Sequence, residues 1–321
     1  MGEWLPPSPE NLRGTLLWSY DERVETFAMY EESSKKALGD VREYITKMNV
    51  KLPLYEDRSK GSEHGQPAPL VCVGILTARR IGSERSYLLQ LVGSLLARMD
   101  LLAPDDFYIH IFNVDKEPEQ HTEVYEISDL LPVSIIKLTH ASGLNAKQVE
   151  SLDYAEALRL FGKIGCQNQL MLEDDAFASD KWTSQVREAL NQLEGIPDWF
   201  LVRLYTSRST ARTPRGDQQL YFYDPKYGGV ACLINGRYTY QFASALEQQV
   251  LGNKELIPKD LYMSVFGSEI ELPIMSFEPV VFQHTGLHST VNKRNLSSHF
   301  PPYMCARNFV SENQPVVFCP M

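Results

Sequence analysis

The chain has 321 residues and a formal charge of −10, from 31 Lys and Arg against 41 Asp and Glu. An apolar fraction of 43 % is typical of a globular protein with a substantial core, and it excludes a largely disordered chain. A pI near 5.3 argues against binding through a basic surface, so we expect no nucleic-acid partner. The longest apolar run, Leu70–Leu76, is far shorter than the roughly 20 residues that cross a bilayer, so we predict no transmembrane segment.

The first predicted element is a long helix over 21–48, because apolar residues recur there at three-four spacing. A polar linker that contains Pro and Gly follows at 53–69. We therefore divide the chain into a helical stem with its linker, 1–66, and a main domain, 67–321. The helix either packs against that domain or acts as a stem that separates it from a membrane, and the sequence leaves both open. Met1–Pro9 has neither the basic nor the apolar stretch of a signal peptide.

After the linker, strands and helices alternate, which predicts an α/β domain with a largely parallel central sheet flanked by helices. The predicted strands are Leu70–Thr77, Phe107–Val114, Val133–Leu138, Gln169–Leu172 and Trp199–Tyr205. The predicted helices are Ser86–Met99, Asp153–Gly162 and Lys181–Leu193.

Three acids, Glu173, Asp174 and Asp175, directly follow the apolar strand Gln169–Leu172. Open α/β sheets hold their ligands at the carboxyl ends of strands, where such acids need a counter-charge. Carboxylate oxygens suit magnesium or manganese, ions that often bridge to substrate phosphates. The alternative is an acidic group that stabilises the N-terminus of the helix beginning at Lys181.

Two later segments carry further candidate site residues. His284 ends a short apolar strand, and a Gly turn, His288 and the basic pair Lys293–Arg294 follow it, which is typical of a phosphate and metal site. Asp260 opens an apolar helix after Pro258, where it is either a helix cap or a general base that faces a cleft.

Two other segments bear on the class of function: the end of the first strand and a basic segment later in the chain. The first strand ends in Thr77, Arg79 and Arg80 with no glycine-rich loop, which argues against a dinucleotide-binding Rossmann fold and a P-loop. The basic segment Ser207–Asp217 is either a surface loop or a loop that closes over an anionic ligand.

The five cysteines show no zinc-site spacing. We interpret Cys72, Cys166 and Cys232 as buried small hydrophobes. Cys305 and Cys319 flank a short polar loop, and whether they form a disulfide stays open.

Taken in order, these motifs resemble metal-dependent glycosyltransferases with a GT-A fold over roughly 67–295. The most similar group is the Golgi family that adds N-acetylgalactosamine (GalNAc) to glycosylphosphatidylinositol (GPI) anchors, and the N-acetylglucosaminyltransferase-IV group, which branches N-glycans, is similar in the same blocks. The blocks are Thr77–Arg80, Ser86–Leu88, Leu152–Tyr154, Glu173–Asp175, Lys259–Asp260, Glu278–Pro279 and Gln283–Gly286.

The resemblance implies a GT-A fold, Rossmann-like with a mostly parallel sheet, and an enzyme of the Golgi lumen that transfers GalNAc from UDP-GalNAc to the GPI glycan core with inversion. In that family the acidic triplet, or EDD motif, holds a divalent cation, usually Mn2+, on the diphosphate of the UDP-sugar. Asp175 is then the direct metal ligand and His284 lies by the metal or the diphosphate. Glu173 and Asp174 are then near the sugar and the ribose.

The resemblance implies roles for the remaining site residues as well. Thr77 and Arg79 are expected beside the uridine, and Asp260 corresponds to the base that deprotonates the acceptor hydroxyl. Tyr227, Gly228 and Gly229 are expected in the floor of the donor-sugar pocket.

Animal members of the GPI-modifying family have an N-terminal membrane anchor and a transmembrane hairpin, and we expect neither in this chain. An N-acetylglucosaminyltransferase-IV-like enzyme acting on N-glycans and a catalytically silent glycan-binding homologue are the alternatives. The sequence does not decide between GalNAc and N-acetylglucosamine (GlcNAc), nor does it name the acceptor or the oligomeric state.

Overall fold

The computed structural model describes the residues that build the α/β domain, with gaps between them. They are 69–80, 86–96, 107–128, 133–136, 142–179, 181–205, 219–222, 229–252, 256–278 and 280–284, with Lys36, Gly39, Arg42 and Glu43. These last four residues are helical and exposed. The rest of the predicted stem and linker, the basic segment Ser207–Asp217, and both Cys305 and Cys319 lie outside the described residues.

The described residues form ten strands and six α-helices. The strands are β1 Val71–Thr77, β2 Phe107–Asn113, β3 Val133–Ile135, β4 Asn168–Glu173, β5 Ala176–Ala178, β6 Leu201–Arg203, β7 Gln219–Tyr221, β8 Ala231–Asn235, β9 Ile274–Glu278 and β10 Phe282–His284. The helices are α1 Tyr87–Leu96, α2 Thr122–Ile127, α3 Ala146–Ile164, α4 Trp182–Leu193, α5 Thr239–Leu251 and α6 Lys259–Glu269.

Eight of the strands form one sheet in the order β3-β2-β1-β4-β8-β6-β9-β7. Strands β3, β2, β1 and β4 are parallel, as expected, but β8 runs antiparallel to both β4 and β6, and β7 runs antiparallel to β9. The α/β prediction is confirmed, but the sheet is mixed rather than largely parallel. Strands β6 and β9 run in the same direction as β4. The carboxyl ends of β4, β6 and β9 therefore lie at the same edge of the sheet as the first residue of β8.

Helices cover both faces of the sheet, and each face has its own apolar core. The helices α1, α2 and α4 pack on one face, where Leu88, Val124 and Trp182 are buried. The helices α3, α5 and α6 pack on the other, where Phe161 and Phe242 meet a second set of strand residues. Burial on both faces explains why β1 is a nearly continuous apolar run and why the centre of β4 is Leu170, Met171 and Leu172.

Helix α3 is longer than predicted and lies unusually close to β1. It begins at Ala146 because Asn145 and Gln148 form a capping box, and it ends at Gly165, which has φ 81°. The sequence carried this start signal, but the apolar pattern alone suggested a start at Asp153. A Cβ at Gly74 on β1 would lie 2.6 Å from the ring of Phe161 on α3, so only glycine permits this approach.

A disulfide joins Cys72 on β1 to Cys166, which follows α3, with a Cα–Cα distance of 5.9 Å. The expectation of burial is confirmed for both residues, but the interpretation as free small hydrophobes is wrong for them. Only the pairing of β1 with β4 brings the two sulfurs together across 94 residues, so sequence spacing gave no sign of it. Cys232 is buried, as expected, and takes no part in a disulfide.

None of the helices in the described residues has both the length and the apolar character needed to cross a membrane.

Candidate functional site

The acidic triplet lies where β4 leaves the sheet edge. Glu173 is the last residue of β4, and Asp174 and Asp175 form the tight turn into β5. The short strand β5 pairs with β10 in a separate two-stranded sheet, with Ala176 opposite His284. This pairing brings the late histidine to the acids, so the structure unites two segments that the sequence suggested independently.

Glu173, Asp175 and His284 form a group that fits a divalent cation. One donor atom from each lies within 4.8 Å of the other two, and His284 Nε2 is 3.3 Å from Asp175 Oδ2. Two carboxylates and an imidazole are a mixed oxygen and nitrogen set that suits manganese, magnesium or zinc. The residues present therefore fit the cation that the resemblance implies, without identifying which one.

Neighbouring side chains shift the pKa values of Asp175 and His284. Burial alone would raise the pKa of Asp175, but Arg80 and His284 outweigh it and hold that pKa well below its ordinary value. Burial would lower the pKa of His284, and Asp175 raises it above its ordinary value. Asp175 is therefore a carboxylate at neutral pH, and a histidine binds a metal through its neutral ring.

Arg80 is the counter-ion of the last two acids. Its Nη2 lies 2.5 Å from Asp174 Oδ1 and 2.8 Å from Asp175 Oδ2, and its guanidinium stacks over the Tyr87 ring at 4.6 Å. Burial would lower the pKa of Arg80, but Asp174 and Asp175 raise it, so this side chain stays cationic. The sequence analysis did not assign Arg80 to the site, although two arginines after a strand end, at the same edge as three acids, were a usable signal.

Thr77 and Arg79, predicted beside a uridine, occupy the neighbouring strand end. Thr77 Oγ1 donates a 2.9 Å hydrogen bond to Asp174 Oδ2. Arg79 turns the other way and pairs with Asp115 and Glu117. Between them is an open pocket of about 290 Å³. Its lining consists of Thr77, Ala78, Arg79, Arg80, Tyr87, Leu88, Gln120, His121, Thr122, Glu123 and Asp174.

Lys259 is a second counter-ion that the sequence analysis missed. Its Nζ lies 2.9 Å from Glu173 Oε1 and 2.6 Å from Glu150 Oε1, which projects from α3. Burial would lower the pKa of Lys259, but Glu150 and Glu173 raise it well above its ordinary value. Glu173 is therefore neutralised by Lys259, whereas Asp174 and Asp175 are neutralised by Arg80.

Asp260, the predicted base, lies in the first turn of α6, next to Glu173. The backbone carbonyl of Asp260 accepts a 3.0 Å hydrogen bond from Arg203, a fully buried side chain that also donates to Ser264 Oγ at 3.1 Å. Gly229 separates the two acids: a Cβ on this glycine would lie 3.2 Å from Asp260 Cβ and 3.4 Å from Glu173 Oε1. Gly229 thus lies beside both Glu173 and Asp260.

Tyr227, Gly228 and Lys293, the other predicted site residues, lie outside the described residues, so the structure does not test them. The site otherwise consists of two adjoining parts. Asp175 and His284 form one part, Asp260 and Gly229 form the other, and Glu173 touches both.

No protein-family model and no curated protein matches the sequence. Among solved structures, the chain is similar to a 4-diphosphocytidyl-2C-methyl-D-erythritol synthase from Anaerococcus prevotii, with a TM-score of 0.40 and 11 % sequence identity. The similarity covers 68 % of this chain and 92 % of that one. A TM-score this low carries no information about function.

Proposed function

We propose that the chain is a metal-dependent, inverting glycosyltransferase with a GT-A fold that transfers GalNAc from UDP-GalNAc to the glycan core of GPI anchors. One observation carries the proposal: a cation-binding group, Glu173, Asp175 and His284, adjoins a separate carboxylate, Asp260, across a glycine. Transfer from a nucleotide sugar needs these two functions, a cation for the leaving diphosphate and a base for the acceptor hydroxyl.

The cation-binding part serves the leaving group. A bound divalent cation supplies Lewis-acid stabilisation of the negative charge that develops on the diphosphate. Asp175 and His284 would hold it, since His284 Nε2 lies 3.3 Å from Asp175 Oδ2. Glu173 Oε1 accepts a hydrogen bond from Lys259 Nζ, and this cation offsets the charge of Glu173.

The acceptor side depends on Asp260. Arg203 and the N-terminus of α6 fix the backbone of this residue at the start of the helix. Asp260 accepts the proton of the attacking hydroxyl, and the hydroxyl displaces UDP from the opposite face of the sugar carbon, which inverts that carbon. A side chain at position 229 would crowd Asp260 and Glu173, so glycine keeps the surface beside these two acids free of a side chain.

The pocket beside Thr77 supports a nucleotide on the same edge of the sheet. Its volume of about 290 Å³ is near the lower limit for small-molecule sites, and two arginines line it. A uridine held there has its diphosphate directed to Asp175, since Asp174 belongs to both the pocket lining and the acidic turn.

We also propose a lumenal location, in the Golgi. The disulfide between Cys72 and Cys166 supports it, because disulfides persist in oxidising compartments and are rare in the cytosol.

A thermal-shift panel tests the donor and the cation together. The purified chain is melted with UDP, UDP-GalNAc, UDP-GlcNAc and UDP-glucose, each with and without MnCl2. Ligands that bind the native state raise the melting temperature, so UDP-GalNAc with Mn2+ is expected to give the largest shift. A larger shift with UDP-GlcNAc would favour the N-glycan-branching alternative, and the absence of any Mn2+-dependent shift would contradict the proposed function.

A further inference from the structure

Asp175 Oδ2 already contacts two side chains, Arg80 and His284. Arg80 Nη2 lies 2.8 Å from this oxygen and His284 Nε2 lies 3.3 Å from it. Hydrogen bonds between charged groups are about twice as strong as neutral ones, so this oxygen is strongly engaged. A divalent cation that binds Asp175 therefore has to compete with Arg80 for the same atom.

The surroundings of Arg80 allow its guanidinium to leave Asp175 without leaving the site. Asp174 holds it at 2.5 Å and the Tyr87 ring lies on its flat face at 4.6 Å. Asp174 is itself fixed by Thr77, so this anchor does not depend on Asp175. Arg80 also lines the pocket proposed for the nucleotide, so an anionic ligand bound there would lie beside its guanidinium.

We propose that Arg80 is a positioning residue that couples cation binding to nucleoside-diphosphate binding. By neutralising Asp175, Arg80 weakens the binding of a divalent cation alone. A diphosphate accepts the guanidinium's hydrogen bonds and so releases Asp175 for the cation. By linkage, the cation strengthens diphosphate binding by the same factor. This inference rests on the proposed function, which supplies the diphosphate.

The test measures Mn2+ binding rather than turnover. Free Mn2+ is followed by electron paramagnetic resonance during titration of the full chain with MnCl2, with and without saturating UDP. We expect Arg80→Met to bind Mn2+ alone at least about tenfold more tightly than wild type, which corresponds to about 1.4 kcal/mol. In the same variant, we expect UDP to enhance Mn2+ binding much less than it does in wild type.

A gain of affinity separates this role from a merely structural one, because a residue that only supports the fold would weaken Mn2+ binding when removed. Arg80→Lys retains the charge but replaces the guanidinium, whose Nη2 contacts both carboxylates, with an ammonium group, so a smaller gain is expected. Arg159→Met is the matched control, since Arg159 is a partly buried arginine that pairs with Glu247 on the α3–α5 contact. This control is expected to leave Mn2+ binding unchanged.

The possible outcomes distinguish the inference from the function on which it rests. If wild type binds Mn2+ with UDP but neither Arg80 variant gains affinity for Mn2+ alone, the coupling role is refuted and the proposed function stands. If wild type binds no Mn2+ even with UDP, the proposed function itself fails. If Arg80→Met does not fold, as judged by circular dichroism, Arg80→Lys decides the question alone.

Discussion

Removing the disulfide between Cys72 and Cys166 is expected to cost a large part of the stability of the domain. The crosslink closes a loop with a sequence separation of 94 residues. In the chain-entropy model, a loop of this length restricts the unfolded chain enough to stabilise the fold by about 4.7 kcal/mol. For a domain of this size, the double variant Cys72→Ala/Cys166→Ala should melt roughly 10–18 °C below wild type.

The matched control is Cys232→Ala, because Cys232 is also buried but takes no part in a disulfide. This control removes a buried sulfur without removing a crosslink, so it reports the packing loss at one site, about 1 kcal/mol. Differential scanning calorimetry of the three proteins at pH 7 measures the difference. Peptide mapping without reductant, on protein secreted or purified from an oxidising compartment, checks that the linked peptide is present.

Two results would refute this reasoning. The first is a double variant that melts within about 3 °C of the Cys232→Ala control, since two packing losses would then account for the whole effect. The second is a peptide map in which Cys72 and Cys166 are both alkylated without reduction. The second result would also remove the support for a lumenal location.

The remaining predictions concern the site and the core. Asp260→Asn should lower turnover by about 10²–10⁴-fold and leave UDP affinity within about twofold, as measured by steady-state assay and calorimetry; wild-type turnover would exclude Asp260 as the base. Asp175→Ala should abolish Mn2+-dependent UDP binding in calorimetry, and retained binding would contradict its assignment as a ligand. Burial lowers the pKa of His110 to about 4, below its unfolded value near 6.5. The part of the free energy of unfolding that depends on a neutral His110 ring is therefore fully present above pH 6.5. About 2–3 kcal/mol of it is lost as the pH falls to 4.5. Urea unfolding of His110→Gln should show a correspondingly smaller loss of stability than wild type between pH 7 and pH 4.5. A loss equal to that of wild type would show that other groups cause it.

The sequence predicted those parts of the molecule that depend on local pattern. The apolar run before Glu173 indicated a buried strand with acids at its end, and the structure has this arrangement. The α/β class followed from alternating strands and helices. Asn145 and Gln148 show that even a local signal is lost when apolar periodicity alone is used to place the start of a helix.

The features that the sequence did not predict depend on which strands pair. The position of β8 between β4 and β6 is a matter of tertiary packing, and it made the sheet mixed. The counter-ions Arg80 and Lys259 reach their acids across 94 and 86 residues respectively, distances over which sequence spacing carries no information. The same holds for the disulfide, since the partner of Cys72 is set by the register of β1 against β4.

The separate sheet of β5 and β10 has a consequence for how the cation-binding group is assembled. His284 arrives on the last strand of the described chain, and that strand is only three residues long. During synthesis, the acidic triplet therefore emerges long before its imidazole, and the group is complete only when β10 docks. A strand this short opens more readily than the main sheet, so a bound cation would stabilise its pairing with β5. Hydrogen exchange at the β10 amides would then slow on addition of MnCl2 and UDP, while exchange in β1 would not change.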